Sequence, residues 1–169
     1  MSNTSSAWLI ETNSGHQFAI AEYELIEYIM EPERHEIPLT PVYASSILLW
    51  QDSMVPVIDF SLLINQQQTR LTTVSILAYQ TEPGLALNYI GVELNRAPVK
   101  ITIEDNQICE AQDSDNGLWA SIANSWITHQ QQPTPIINIA SLDTAEFSDF
   151  VKTLTTQTNA AEPLVKLVV

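Results

Sequence analysis

The chain has 169 residues, 45% of them hydrophobic, enough to bury a core without help from metals or disulfides. Its 20 acidic residues against 6 basic ones give a formal charge of −14, which opposes nucleic acid and anionic lipid, because phosphates must be met by Lys and Arg. The single cysteine, Cys109, closes no intramolecular disulfide, the first fifteen residues have neither basic nor apolar leader character, and no run approaches the roughly 18 apolar residues of a membrane-spanning helix, so a soluble cytoplasmic protein without direct membrane insertion is expected.

In chain order, short runs rich in Val, Ile, Leu, Tyr and Thr are broken by Asn, Gly, Pro and Asp, the pattern of a mainly β protein. Residues 8–11 and 17–21 flank Asn13-Ser14-Gly15 and predict an opening hairpin. Strands are predicted at 25–30, 47–50 and 54–59. Six glutamates, Glu22, Glu24, Glu27, Glu31, Glu33 and Glu36, crowd the region of the first of these, with Arg34 the only base among them, as a solvated edge or a face for a basic partner. Gln66-Gln67-Gln68 reads as a polar loop and a lobe boundary near 65–70. Further strands are predicted at 71–79, 85–93, 99–103, 108–111, 118–128 and 135–138. A closing helix is predicted from Asp143, which precedes Glu146 as in a capping box, and from Phe147, Phe150, Val151 and Leu154 at helical spacing. Residues 164–169 form a short apolar run interrupted by Lys166, readable as a strand, a tail or a contact with another copy.

An internal repeat is the most informative feature. Val55-Pro56-Val57-Ile58-Asp59 matches Thr134-Pro135-Ile136-Ile137-Asn138, the prolines 79 positions apart. In each copy Pro precedes two β-branched residues that fill a strand, and Asp or Asn ends it by bonding local backbone before a helical turn. Two lobes closed by equivalent strands are expected.

The segment Pro41-Val42-Tyr43-Ala44-Ser45-Ser46-Ile47-Leu48-Leu49-Trp50-Gln51-Asp52-Ser53-Met54-Val55-Pro56-Val57-Ile58-Asp59 resembles the signature of CheW-like domains, in which a proline-led turn leads into a strand, a short Arg-Gly loop, and a strand reading Val-Pro-Val-Ile-Asp. The opening hairpin, the segment around Glu24 to Ile29 and the second Pro-containing strand extend the resemblance over much of the chain. It implies one CheW-like domain over 1–169: a pair of five-stranded β-barrels with short helices and a C-terminal helix. It also implies a non-catalytic, cofactor-free adaptor that couples chemoreceptors to the regulatory domain of a histidine kinase. Trp50, Gln51, Asp52, Ser53, Met54 and Val55 are the partner-binding residues it suggests. Gln51-Asp52 stands where the family has Arg-Gly, and Ser46 where it has Gly, so the local charge is reversed. Trp50 beside Gln51 is similar to the variants that accompany type IV pilus and twitching systems.

Chemistry beyond protein contacts is sparse. His16, His35 and His129 share no spacing with Cys109 that suggests a zinc site. Asp113-Ser114-Asp115-Asn116-Gly117 lacks the glycine and glutamate positions of an EF-hand and reads as a polar turn. Four glycines leave no phosphate loop. Trp119 and Trp126 are expected in the core, while Trp50 suits either core or contact. The alternatives to an adaptor are a ligand-binding β module, which requires a closed apolar pocket, and an acidic hydrolase, which requires carboxylates of perturbed pKa in a cleft.

Overall fold

The computed structural model describes residues 3–64, 73–111 and 117–159. Among these, twelve strands form two curled six-stranded sheets. The strands are β1 Thr4–Glu11, β2 Gln17–Ala21, β3 Leu25–Met30, β4 Arg34–Glu36, β5 Ser46–Trp50, β6 Ser53–Ile58, β7 Thr73–Tyr79, β8 Asn88–Glu93, β9 Val99–Glu104, β10 Ile108–Cys109, β11 Ala123–His129 and β12 Gln132–Ile137. Three helices, α1 Phe60–Ile64, α2 Leu118–Ile122 and α3 Ala145–Asn159, accompany them. The mainly β class is as expected, but each sheet has six strands where five were expected, the extra ones being the short β4 and β10. Arg34-His35-Glu36 carries no apolar alternation to announce a strand and is recruited by pairing with β5.

The two sheets share one plan. One runs β10-β11-β12-β2-β1-β9 and the other, read from its far edge, β4-β5-β6-β8-β7-β3. In both, the only parallel junction lies in the middle, β12 with β2 and β6 with β8, and every other pairing is antiparallel. Each half of the sequence therefore lends its first hairpin to the other half's sheet: β1–β2 joins β9–β12, and β7–β8 joins β3–β6. The repeated prolines occupy equivalent places. Parallel pairing begins one residue after each, at Val57 with Gly91 and at Ile136 with Ala19, so the missing N–H falls outside that ladder. Each strand then ends as the repeat anticipates. Asp59 Oδ1 accepts from Ser61 N at 2.8 Å before α1, and Asn138 Oδ1 accepts from Ala140 N at 3.2 Å before a 3₁₀ turn at Ile139–Asp143.

Both sheets contribute to one apolar core. Ile10, Phe18 and Ile20 from the first meet Ile58, Leu77, Ile90 and Val92 from the second, together with Phe60, Trp119 and Phe147 from the helices. Phe60 stacks on Trp119 with ring centroids 6.0 Å apart, a contact worth about 1 kcal/mol beyond area burial. A smaller cluster of Leu48, Trp50, Val55, Val57, Val74 and Ile76 fills the inside of the second sheet. Gly91 lets β8 pass between β6 and β7, since a Cβ there would lie 2.9 Å from Val74 Cγ1 and 3.1 Å from Val57 Cγ2.

Three boundaries depart from expectation. Residues 118–122, predicted as strand, form α2, because Leu118, Trp119 and Ile122 are buried at helical spacing and Gly117, at φ 82°, turns the chain into the helix. Leu85 and Leu87, predicted in a strand, sit in an exposed loop before β8. The cap of α3 is Thr144, whose Oγ1 accepts from Phe147 N at 3.2 Å. Asp143 instead closes the preceding turn. The lobe boundary near 65–70, the start of the strand predicted at 71, Asp113 to Asn116 and the run at 164–169 lie outside the described residues.

Candidate interaction site on the β5–β6 hairpin

The β5–β6 hairpin carries all six residues singled out as partner-binding. Its register pairs Trp50 with Ser53, Leu49 with Met54, Leu48 with Val55 and Ile47 with Pro56. Because side chains alternate across a strand, the hairpin has two faces. Leu48, Trp50 and Val55 point into the sheet, with Trp50 8% and Val55 1% exposed. Trp50 is fixed there by Tyr89, 5.0 Å away between ring centroids, and by a hydrogen bond from Nε1 to Glu27 Oε2 at 2.6 Å. These two residues hold the hairpin and offer no surface.

The other face is bare. Leu49 is 66% and Met54 75% exposed, directly opposite one another, and Pro56 and the half-buried Ile47 continue the strip. Leu49 was not among the residues singled out, although the alternation of 48, 50 with 47, 49 contains the signal. The strip ends at the turn, where Gln51 and Asp52 take φ of 46° and 62°. Two successive left-handed residues make the type I′ turn that matches strand twist. A glycine is the ordinary occupant of the second position, so the Gly of the family pattern fits this geometry and Asp52 is a costlier choice. Along the strip's side, His35 pairs with Ile47, and Glu33, the residue before β4, has Oε1 3.9 Å from His35 Nε2.

The second copy supplies an internal comparison. Gln130 and Gln131 repeat the turn, with φ of 48° and 65°. The pair equivalent to Ile47 and Pro56 is Trp126 and Pro135, both buried; the pair equivalent to Leu49 and Met54 is the exposed Thr128 and the half-buried Pro133. The fold thus does not require large apolar side chains at positions 49 and 54.

Carboxylates with shifted pKa lie elsewhere. Burial pushes Glu93 up, against the opposing effect of Arg34 and with a further push from Asp59. Burial likewise pushes Asp59 up, against hydrogen bonds from the Ser61 and Leu62 amides. Glu93 is engaged by Arg34 and by Asn13 Nδ2 at 3.2 Å, and Ser14 N donates to Ser61 Oγ at 2.9 Å. This cluster fastens the β1–β2 turn to the end of β8 and the start of α1 and holds the Arg34 side chain half-buried. A solvent-open cleft of about 710 Å³ lies between that turn and the β11–β12 hairpin, lined by His16, Gln17, Trp126, His129, Gln132 and Pro133 among others. It contains none of the shifted carboxylates, and its lining of imidazole, amide and hydroxyl groups is not the closed apolar pocket that a ligand-binding module requires. His35 lies on the other sheet, so the three histidines do not converge. Among the described residues no cluster of three or more His, Cys, Asp or Glu is placed to hold a metal ion, and no helix is long and apolar enough to cross a membrane.

Two curled sheets of identical strand order, each closed by a Pro-containing strand and a helical turn, define a CheW-like fold. Among solved structures the chain is similar to the scaffolding protein TtCheW from Thermoanaerobacter tengcongensis, with 14% sequence identity and a TM-score of 0.64 over 85% of this chain and 96% of that one. No family model matches the sequence, and no curated protein matches it.

Proposed function

We propose that this chain, acting as a single unit, is a non-catalytic chemosensory scaffold that couples receptors to the CheW-like regulatory domain of a histidine kinase, in the cytoplasm and by protein contacts alone. The observation that carries the reading is the exposed Leu49–Met54 pair on a hairpin whose duplicate within the same chain is polar or covered. An apolar strip on the surface of so acidic a protein marks an interaction site. The CheW-like fold supports the kinase domain, built on the same plan, as the natural partner. The Trp50-Gln51 pair favours a pilus-linked system over a flagellar one. Calorimetric titration with the regulatory domain of each chemosensory kinase of the same organism tests this. Saturable micromolar binding to one of them is expected and names the pathway; silence with all of them, using folded proteins, contradicts the reading.

A further inference from the structure

The charge around the strip specifies the kind of partner that covers it. Asp52 stands at the tip, and Glu33, just before β4, lies against His35, the residue paired with Ile47. The β7–β8 loop emerges at the same end, because β8 runs parallel to β6, and it brings the exposed Glu82 together with Leu85 and Leu87, each 52% exposed. Among the described residues no Lys or Arg offsets these acids, and the base nearest Glu33 is His35, Nε2 to Oε1 3.9 Å. Among the described residues each of the four Lys and Arg side chains is held by a carboxylate elsewhere: Arg34 by Glu93, Arg96 by Glu11, Lys100 by Glu22 and Lys152 by Asp149. The duplicate hairpin has neutral Gln130 and Gln131 at the same turn positions, so the fold alone does not call for a carboxylate at position 52.

We propose that the β5–β6 hairpin face docks a protein surface with an apolar centre and a rim of Lys or Arg, the reverse of the acidic complement that an Arg-Gly turn would select. Apolar contact at Leu49 and Met54 supplies affinity, and the acidic rim selects the partner and speeds encounter. A like-charged partner is rejected by Asp52 and Glu33. This deepens the proposed function by naming the chemistry of the partner surface, and it rests on the hairpin being the docking face.

The test is an NMR titration of the isotope-labelled protein with two probes, a short peptide alternating leucine and lysine and its leucine–glutamate counterpart. Saturable shifts confined to residues 47–56 and their flanks at 33–35 and 82–87 are expected with the lysine peptide and none with the glutamate peptide. Asp52→Lys or Glu33→Lys should weaken binding by roughly five- to tenfold at low salt, and the difference should shrink as salt screens the rim. Glu110→Lys, exposed just after β10 of the other sheet, makes the same change in net charge and should have little effect. Equal binding of both peptides, shifts scattered over the surface, or equal weakening by Glu110→Lys would overturn the proposal. If the peptide results hold but every kinase regulatory domain is silent, the basic-partner inference stands and the kinase reading falls.

Discussion

At the scale of single residues, Asp52 is the position where chemistry and geometry disagree. Its φ of 62° puts Cβ close to the following carbonyl oxygen, at a cost of about 1 kcal/mol for a non-glycine residue that tolerates this region better than most. Asp52→Gly should therefore stabilise the fold by about 1 kcal/mol, raising Tm by roughly 2–4 °C, while weakening association with a basic partner. A thermal melt reads the first effect; an unchanged or lower Tm would mean that the carboxylate is not a strained substitute for glycine. The presence of Gln51-Asp52 was legible in the sequence, but its direction of strain was not, because φ depends on the two-residue turn that the register imposes. Trp50 shows the complementary limit. Its neighbour in sequence, Leu49, is the one that faces solvent, and only the alternation across β5, fixed by Leu48 and Trp50 packing inside, tells the two apart.

Among elements, the repeat carried most of what the sequence revealed. Val55 to Asp59 and Thr134 to Asn138 do occupy equivalent strands at equivalent junctions, and their terminal Asp and Asn make the same bond to backbone. The equivalence yields a prediction. Asn138 already performs with a neutral amide what Asp59 performs with a carboxyl, and Asn and Asp are about equally good at such positions. Asp59→Asn should change stability at neutral pH by less than about 1 kcal/mol, as measured by denaturant unfolding, and remove one of the two carboxyls that face Arg34. A loss of several kcal/mol would mean that the Asp59 charge itself fastens the β1–β2 turn. Elements that were misread share a cause. Residues 118–122 contain strand-favouring types, but Leu118, Trp119 and Ile122 find a common apolar surface only as a helix turn. Leu85 and Leu87 have strand composition but no sheet partner, and β4 has a partner but no strand composition. In each case long-range packing outweighed local preference.

For the whole molecule, the exchange of first hairpins between halves makes the two sheets interdependent: the core residues Ile10 and Phe18 sit on a hairpin that belongs by sequence to one half and by pairing to the other. The buried carboxylates at the seam set a pH dependence. Glu93, Asp59 and Glu24 are raised mainly by burial, so the folded state holds their protons more tightly than the unfolded chain does. Stability should rise as pH falls from neutral toward the ordinary Glu value of 4.5 and decline as pH climbs back through the raised values. Glu11 acts oppositely. Burial pushes it up, but hydrogen bonds from Gln17, Asn95 and Arg96 outweigh that and hold it low, so its contribution is present above its unfolded pKa and is lost as pH falls through the lowered value. A maximum in stability on the acidic side of neutrality is expected from urea titrations across pH, less steep on its alkaline side in Asp59→Asn; a monotonic rise toward neutral pH would contradict the burial account.

The proposed function depends on the apolar Leu49–Met54 face being the one that a partner covers. The direct measurement is the affinity of the double variant Leu49→Ser and Met54→Ser for any kinase regulatory domain found to bind the parent chain in the calorimetric titration, beside its thermal melt. Both side chains are solvent-exposed, so the melt should be unchanged or nearly so. Burial of each on binding is worth about 1.5–3 kcal/mol, so binding should weaken by at least tenfold. Unchanged affinity in a normally folded variant would contradict the claim and move the docking surface off this hairpin.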